Sequence, residues 1–342
     1  MCPTKVRGRM GKASTGPVPV VVMGLGFIGQ EIARAAHASP ELRLVGAVDS
    51  SPSLAGKKLG DLLGNPQISL KVAPRLAEAV GKTKGAVLLH ATGSRLPQVM
   101  EQLLEAAEHG MSVVSTCEEL SFPFLKYPEL AQKLERAAQK AGVALLGTGV
   151  NPGFVMDRLV AAAGQVCGQI RRATASRVVD ARTRREALQR KIGAGLTEAE
   201  FDALAEKDLI GHVGLLESAA LCSVGLGLDC DDFEEELVPV LAEEDILGGA
   251  FPVRAGKVAG ISQTAVGLED GQERVRLELT IAVGAEEPGD RIHLDADPEV
   301  EILVKGGVAG DRATANVVVN AAPRVTAADA GLLTVLELPS GR

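Results

Sequence analysis

Three closely spaced glycines near the start of the chain constrain its fold more than any other sequence feature. Gly24, Gly26 and Gly29 follow the short apolar run VPVVVM, which is rich in β-branched residues and typical of a strand buried on both faces. The next residues, FIGQEIARAAHA, have the apolar spacing of a helix. In a strand–GxGxxG–helix unit, the first glycine permits a tight turn, the second lets a pyrophosphate approach, and the third lets helix and strand pack closely. The sequence therefore predicts a dinucleotide-binding βαβ unit.

An acidic residue at the end of the next strand supports this prediction. Asp49 closes the run LRLVGAV, at the offset from Gly29 of an acid that binds the adenosine ribose. A carboxylate repels a 2′-phosphate and favours NAD, whereas Ser50, Ser51 and Lys57 could hold that phosphate, so NAD and NADP both stay open. The structural alternative is a cluster of turn glycines beside a solvated aspartate. The predicted cofactor contacts are Gly24, Gly26, Phe27, Ile28, Gly29, Asp49, Ser50 and Ser51.

The pattern of apolar segments divides the chain into two α/β architectures. Up to about residue 150, short strands alternate with helices, which predicts an N-terminal Rossmann domain with a doubly wound parallel sheet. Beyond it, four or five strand-like runs predict an α+β domain with an open mixed or antiparallel sheet. We also expect a strand at 68–72 and a closing helix stopped by Pro323. The expected boundaries are a disordered tail over 1–16, the Rossmann domain over 17–152, the α+β domain over 153–307 and a C-terminal segment over 308–342.

Composition argues against several classes of partner. The formal charge is −8, with no Trp and one Tyr, so neither polyanions nor stacked single-stranded bases are expected to bind. No apolar segment resembles a secretion signal or a membrane span. The five scattered cysteines lack CxxC spacing, which argues against a disulfide framework or a zinc site. We therefore expect a cytoplasmic protein without a metal, a membrane or a nucleic-acid partner.

A second motif, VSTCEELSFP, carries two adjacent glutamates. Glu118 and Glu119 follow a predicted parallel strand, so they belong to the carboxyl edge of the sheet, where ligands of this fold bind. A glutamate partly desolvated beside an apolar ring would have a raised pKa and could act as a general base near neutral pH. The structural alternative is that both are acids of a first helical turn, favoured by the helix dipole. The residues alone leave these two interpretations open.

A third motif, GTGVNPGF, follows the last strand of the first domain. Asn151 could hydrogen-bond a nicotinamide carboxamide or a substrate, and it could also cap a helix with Pro152 at its first position. Both roles are compatible with each other. Phe154, in the same motif, is a candidate substrate contact.

Four other residues are candidates on weaker grounds. Thr92 follows the strand GAVLLHA and is expected near the nicotinamide-side ribose, and Cys117 is expected to be a small residue lining the site rather than a nucleophile. His212 could face the substrate or be structural. Arg177 could line the substrate pocket or pair with Asp180 on the same strand.

Taken together, the motifs resemble one enzyme family. The blocks GLGFIGQEIA, VGAVDSSPSLAGK, STCEELSFP, LLGTGVNPGFVMD and GHVGLLES are similar to those of the 2,4-diaminopentanoate dehydrogenase group and the related native amine dehydrogenases. The resemblance runs from about Val18 to Gly227, and the closing segment GDRATANVVVNAAPRV also resembles that group. STCEELSFP together with GTGVNPGF is fairly specific, whereas GxGxxG alone is not.

The resemblance implies a fold and an activity. The fold is that of dihydrodipicolinate reductase, in which the α+β domain helps to build a homo-oligomer and the final helix returns to the Rossmann domain. The activity is the NAD(P)-dependent oxidation of an amine to a ketone and ammonia, or the reverse reductive amination. By the match of the CEE block, the catalytic glutamate is Glu118, with Glu119 as the second candidate. In a carboxylated substrate, Arg177 would be the candidate partner of the carboxylate.

Several alternatives stay open at this point. The substrate could be 2,4-diaminopentanoate itself or a simple amine, and the chain could instead reduce another C=N bond, as dihydrodipicolinate reductase does. The paired-histidine motif of that reductase and the lysine of homoserine dehydrogenases have no counterpart here. The chain could also be a regulator that binds NAD(H) without turnover. We expect small-molecule partners, namely an amine or ketone and ammonia, and a homodimer, because closed two-fold symmetry is the commonest assembly.

Overall fold

The computed structural model describes residues 16–81 and 83–339, which form two compact units. The first unit comprises the described residues up to Phe154 and those from Ala309 onward, and the second comprises Val155–Val308. The chain therefore passes between units at 154/155 and 308/309. The predicted disordered tail lies outside the described residues apart from Gly16.

The first unit is built on a seven-stranded sheet with all neighbours parallel. Its spatial order is β13-β6-β5-β4-β1-β2-β3, so the direction of winding reverses on either side of β1. Ligands of such sheets bind beyond the carboxyl ends of the strands at this reversal. The strands are β1 (Val18–Met23), β2 (Leu42–Val48), β3 (Val72–Ala73), β4 (Val87–His90), β5 (Ser112–Ser115), β6 (Ala144–Gly147) and β13 (Gly331–Leu333).

Helices cover the sheet because their apolar positions recur every three or four residues. In α4, the buried residues Leu96, Val99, Met100 and Leu103 form one stripe, and α10 packs against α1 and the central strands. Gly142 ends α5 in the left-handed region, as predicted, with φ of +69°. The helices are α1 (Phe27–Ala38), α2 (Leu59–Leu63), α3 (Leu76–Val80), α4 (Leu96–Glu108), α5 (Pro128–Ala141) and α10 (Gly310–Val325), with 3₁₀ turns at Glu118–Ser121 and Val335–Glu337.

The second unit contains a six-stranded mixed sheet in the order β12-β11-β7-β10-β9-β8. Only β7 and β10 pair in parallel, and the other neighbours are antiparallel. Alternation in β10 puts Val275, Leu277 and Leu279 in the core, and α9 covers that part of the sheet. The elements are β7 (Ile170–Asp180), β8 (Asp232–Leu241), β9 (Val258–Glu269), β10 (Gln272–Ala282), β11 (Gly289–Ala296), β12 (Val300–Lys305), α6 (Arg158–Gly164), α7 (Glu186–Lys191), α8 (Glu198–Ala205) and α9 (Leu215–Leu226).

The helix expected to begin at Asn151 was predicted wrongly. It begins at Arg158, whose backbone N–H donates to the Asp157 carboxylate at 2.5 Å. Gly153, with φ of +123°, is outside the helical region, so the helix cannot start before it.

Two other expected elements also differ from the structure. The strand at 68–72 shrinks to Val72–Ala73, because Leu70 accepts from the N–H of Leu59 and the preceding residues turn away from the sheet. Pro323 lies inside α10, which continues to Val325. A proline at this position removes one hydrogen bond and crowds the carbonyl four residues before it. Ala322 and Val325, which are both buried, pack the last turn and hold the helix past the proline. Among the described residues, no helix is both long and apolar enough to cross a bilayer.

Candidate active site

The glycine loop has the three distinct environments that a bound dinucleotide requires. Gly24 has φ of +86°, and a Cβ there would lie 2.5 Å from the carbonyl oxygen of Ala91. A Cβ at Gly29 would lie 1.6 Å from the carbonyl oxygen of Gly24, so this glycine allows α1 to pack onto β1. A Cβ at Gly26 meets no atom within 4 Å, which leaves this side of the loop open. The open position is the one at which a pyrophosphate would approach the backbone.

Asp49 ties the end of β2 to this loop. Its carboxylate accepts from the N–H of Leu25 at 2.7 Å and from the N–H of Ser51 at 2.9 Å, and the residue is half-buried. Each oxygen therefore receives one protein donor and keeps a lone pair that can accept from a ribose hydroxyl. Ser50 is exposed, and the Ser51 hydroxyl lies 2.8 Å from that of Ser53.

The first turn of α1 completes the predicted cofactor site. Gly26 is the N-cap and carries no capping side chain, Phe27 is 47% exposed, and Ile28 is half-buried. The backbone donors of this turn and the positive end of the helix dipole suit the phosphates of a dinucleotide. The geometry of the residues present therefore fits NAD(P).

The two glutamates of the second motif have different environments. Both lie in the 3₁₀ turn Glu118–Ser121 after β5. Glu119 is fully buried and accepts from the backbone N–H of Leu96 at 2.7 Å, from Arg95 at 3.2 Å and from the Tyr127 hydroxyl at 3.3 Å. Leu96 is the first residue of α4, so Glu119 caps that helix. Glu118 is only half-buried.

Cys117 precedes these glutamates and is fully buried. Its thiol donates to the carbonyl oxygen of Ser94 at 3.2 Å. Burial raises the pKa of the Cys117 thiol to about 12, and the charges of Glu118 and Glu119 add to this rise. A thiol with this pKa stays protonated near neutral pH, which does not suit a nucleophile.

A buried histidine links the ends of β4 and β5, and sequence reasoning missed it. His90 Nδ1 lies 2.7 Å from the Ser115 hydroxyl, and His90 Nε2 lies 2.8 Å from Gln102 Oε1 and 2.7 Å from the Thr92 hydroxyl. The Thr92 hydroxyl also donates to Gln102 Oε1 at 2.6 Å, and Thr92 is an exposed residue. Burial lowers the pKa of His90 to about 4. The only sequence signal is a polar residue that ends the apolar strand VLLH.

The third motif is held against the C-terminal helix. The N–H of Val150 donates to the Thr314 hydroxyl of α10 at 3.2 Å, and the Asn151–Pro152 peptide is cis. Pro152 is buried, and Asn151 and Phe154 are half-buried. Asn151 is thus in a turn rather than at the helix N-cap that the sequence suggested.

Arg177, the first candidate in the second unit, binds other residues of that unit. Arg177 is 5% exposed and forms an ion pair with Asp290 at 2.6 Å, and it also donates to the carbonyl oxygen of Val308. The alternative that Arg177 pairs with Asp180 was wrong, because Asp180 pairs with Arg182 at 2.7 Å. The sequence could not identify Asp290, since it comes from β11, 113 residues further along the chain.

His212 is half-buried, and its backbone is clamped by a side-chain amide. Its N–H donates to Gln263 Oε1 at 2.8 Å, and its carbonyl oxygen accepts from Gln263 Nε2 at 2.9 Å. Within 16–81 and 83–339, no group of three or more His, Cys, Asp or Glu side chains could hold a metal ion.

Both units of the chain match domains of known protein families. Residues 18–145 match the dihydrodipicolinate reductase N-terminal domain, and residues 154–342 match the 2,4-diaminopentanoate dehydrogenase C-terminal domain. The chain is 27% identical over 333 residues to 2,4-diaminopentanoate dehydrogenase of Acetoanaerobium sticklandii, covering 95% of this chain and 94% of that protein. It is 30% identical over 136 residues to 4-hydroxy-tetrahydrodipicolinate reductase of Nostoc sp., covering 38% of this chain and 47% of that protein.

A solved structure gives the same result for the fold. The amine dehydrogenase from Mycobacterium smegmatis superposes with a TM-score of 0.81 at 25% sequence identity, covering 97% of this chain and 98% of that one. These matches confirm the resemblance that the sequence motifs indicated, and the C-terminal domain match spans more than half of the chain. This chain therefore belongs to the 2,4-diaminopentanoate dehydrogenase family.

Proposed function

We propose that this chain is an NAD(P)-dependent amine dehydrogenase, which reversibly converts an amine, water and NAD(P)+ into a ketone or aldehyde, ammonia, NAD(P)H and a proton. Family membership and the amine dehydrogenase neighbour support the reaction class, and the glycine loop with Asp49 supports the cofactor. The observation that carries the catalytic assignment is the contrast between two adjacent glutamates after β5. Glu119 is buried and caps α4, whereas Glu118 keeps partial exposure at the carboxyl edge of the sheet.

The reaction needs one group that can hold a nitrogen and exchange protons with it. In oxidation a hydride leaves the amine-bearing carbon, water adds and ammonia departs, and the nicotinamide, when bound, supplies the hydride acceptor. The Glu118 carboxylate is proposed to hold the ammonium-derived nitrogen by a charge-assisted hydrogen bond and to take its proton. Glu119 does not suit this role, because its Oε2 accepts from Leu96 and its Oε1 accepts from Arg95 and Tyr127.

A pair of matched variants tests this assignment. Glu118→Gln keeps the size of the side chain and removes the proton acceptor, so we expect kcat to fall about 10²–10⁴-fold with NAD(P)H binding unchanged by fluorescence titration. Glu119→Gln keeps an oxygen for the N–H of Leu96 and should retain most of the turnover while lowering stability. If Glu118→Gln retained more than about a tenth of wild-type kcat, the loss would be smaller than the loss that removal of a general base causes. Another group would then be the base.

The amine itself is tested with a panel of substrates. The named relative points to 2,4-diaminopentanoate, whereas the structural neighbour is named only as an amine dehydrogenase. Arg177, the sequence candidate for a substrate carboxylate, is already paired with Asp290, which favours a proposal that does not depend on a carboxylate. NADH formation with 2,4-diaminopentanoate and with simple alkylamines separates the two substrate classes. Normal NADH binding with no turnover of any amine would favour the regulator hypothesis instead.

We also propose a homodimer in a cytoplasmic setting, as the sequence analysis predicted. The support is the strand-rich second unit, and closed two-fold symmetry is the commonest oligomeric arrangement. A monomer mass by light scattering at micromolar concentration would contradict the dimer.

A further inference from the structure

The hydrogen-bond cluster around His90 joins the two loops that carry Thr92 and Glu118. His90 ends β4 and Ser115 ends the neighbouring β5, and the two residues are register partners in the parallel sheet. Both are fully buried. Thr92 lies two residues after His90 and Glu118 three residues after Ser115, so the cluster lies directly beneath both loops.

The hydrogen bonds define which tautomer the imidazole adopts. Gln102 Oε1 can only accept, so His90 Nε2 at 2.8 Å from it carries the proton. His90 Nδ1 then accepts from the Ser115 hydroxyl at 2.7 Å, and the Ser115 oxygen accepts from the N–H of Cys117 at 3.0 Å. In this arrangement every buried donor of the cluster has an acceptor.

The same arrangement fixes the chemistry of the exposed threonine. The single hydroxyl hydrogen of Thr92 is directed inward to Gln102 Oε1, at 2.6 Å. Thr92 therefore offers only oxygen lone pairs to a ligand on its exposed side. A ribose hydroxyl or a carboxamide N–H has the matching donor.

The chemistry of His90 suits positioning better than proton transfer. With its pKa lowered to about 4 by burial, the imidazole stays neutral over the range in which an amine dehydrogenase would work. Its partners are Gln102, the Ser115 hydroxyl and the Thr92 hydroxyl, whose single proton is directed inward to Gln102 Oε1 and so stays within the cluster. If packing were the only role of this position, an apolar residue would serve equally well, like Val87, Leu88 and Leu89 in the rest of β4.

We infer that His90 is a positioning residue that acts in two directions from the buried end of β4. By direct contact and through Gln102, it holds the Thr92 hydroxyl as a hydrogen-bond acceptor for the nicotinamide half of the cofactor. Through Ser115 it holds the backbone at Cys117, and with it the approach of Glu118 to the substrate nitrogen. The second direction rests on the proposed amine dehydrogenase function, and the first needs only cofactor binding.

Two isosteric variants separate the two directions. Counting bonds from Cβ, an Asn side chain replaces Nδ1 and a Gln side chain replaces Nε2. His90→Asn therefore keeps an acceptor for Ser115 and loses the contacts with Gln102 and Thr92, whereas His90→Gln does the reverse. One lost hydrogen bond of this kind corresponds to about a threefold to tenfold effect.

The expected result is a split between binding and turnover. His90→Asn should raise the Kd for NADH about threefold to tenfold with kcat nearly unchanged, and His90→Gln should lower kcat by a similar factor with the Kd unchanged. Gln102→Met should reproduce the first defect and Ser115→Ala the second, which gives each histidine variant a matched control. If both histidine variants change the Kd and kcat equally, or change neither, His90 is only a packed core residue and the inference fails.

Thr92→Val keeps the test decisive if the histidine variants do not fold, because its side chain is exposed. It should weaken NADH binding as much as His90→Asn does, and an unchanged Kd would overturn the cofactor half of the inference. The outcome is separable from the proposed function, since NADH titration needs no amine. Absence of amine turnover in the wild type, with normal NADH binding, would refute the proposed function and the Glu118 half together.

Discussion

The glycine loop and the His90 cluster lie along the same edge of the parallel sheet, yet they are built in opposite ways. The glycine loop uses backbone and open space, because side chains are excluded at Gly24 and Gly29. The His90 cluster uses four side chains from two strand ends, a loop and α4. A backbone site tolerates almost any sequence around its glycines, whereas a side-chain site depends on each member. The two therefore should respond differently to substitution and to pH.

The largest effect is expected in the glycine loop. Gly29→Ala would place a methyl group 1.6 Å from the Gly24 carbonyl oxygen, so we expect destabilisation of at least about 3 kcal/mol or failure to fold. Gly26→Ala is the matched control, because a Cβ there meets no atom within 4 Å. It should melt like the wild type while binding NADH more weakly. Thermal unfolding followed by circular dichroism decides this, and similar melting temperatures for the two variants would contradict the geometry of the loop.

A smaller effect, specific to the His90 cluster, is expected on acidification. His90 is neutral in the folded protein, with its pKa lowered from 6.5 to about 4, so below pH 6.5 the unfolded chain binds a proton that the folded chain does not. Its contribution to stability is complete above pH 6.5 and is lost as the pH falls towards 4, by up to about 3 kcal/mol. The free energy of unfolding, measured by urea titration at several pH values, should fall more steeply in the wild type than in His90→Gln. Parallel pH profiles would show that His90 titrates normally.

The smallest effect is expected at Asp49, which joins backbone and side-chain contacts in one residue. Asp49→Ala removes the charge that repels a 2′-phosphate and should raise the NADP to NAD ratio of kcat/KM by about tenfold, with both cofactors used. Asp61→Ala, which removes an exposed carboxylate on α2, is the control and should leave the ratio unchanged. An unchanged ratio in Asp49→Ala would remove Asp49 from the ribose site.

The same contrast explains what could be predicted from the sequence. The glycine loop was predictable because its determinants lie within one βαβ unit and follow from backbone geometry. Most strands of both sheets were predictable because their apolar patterns are regular, whereas Val72–Ala73 and Gly331–Leu333 are too short to give a pattern. The helix start at Arg158 was missed because the Asn-Pro pair imitates a cap, and only the conformation of Gly153 rules it out.

The side-chain contacts were not predictable, because they join residues that local patterns do not connect. His90 meets residues 12 and 25 positions away, Glu119 caps a helix that begins 23 residues before it, and Arg177 meets Asp290. Each pairing depends on the final phase of a helix or the register of a strand, which the residues alone do not fix. The distinction between Glu118 and Glu119 belongs to this class, since it depends on where α4 begins.

The return of the chain to the first unit has a consequence for biosynthesis. β6 pairs with β5 on one side and with β13 on the other, and more than half of the chain is made between β6 and β13. At translation rates of about 5–20 residues per second, the outer edge of β6 waits on the order of ten to forty seconds for its partner. During this time an apolar strand edge is open to pairing with other nascent chains. Synthesis of the second unit ends at Val308, before β13 is made, so the second unit can fold while the sheet of the first unit still lacks a strand.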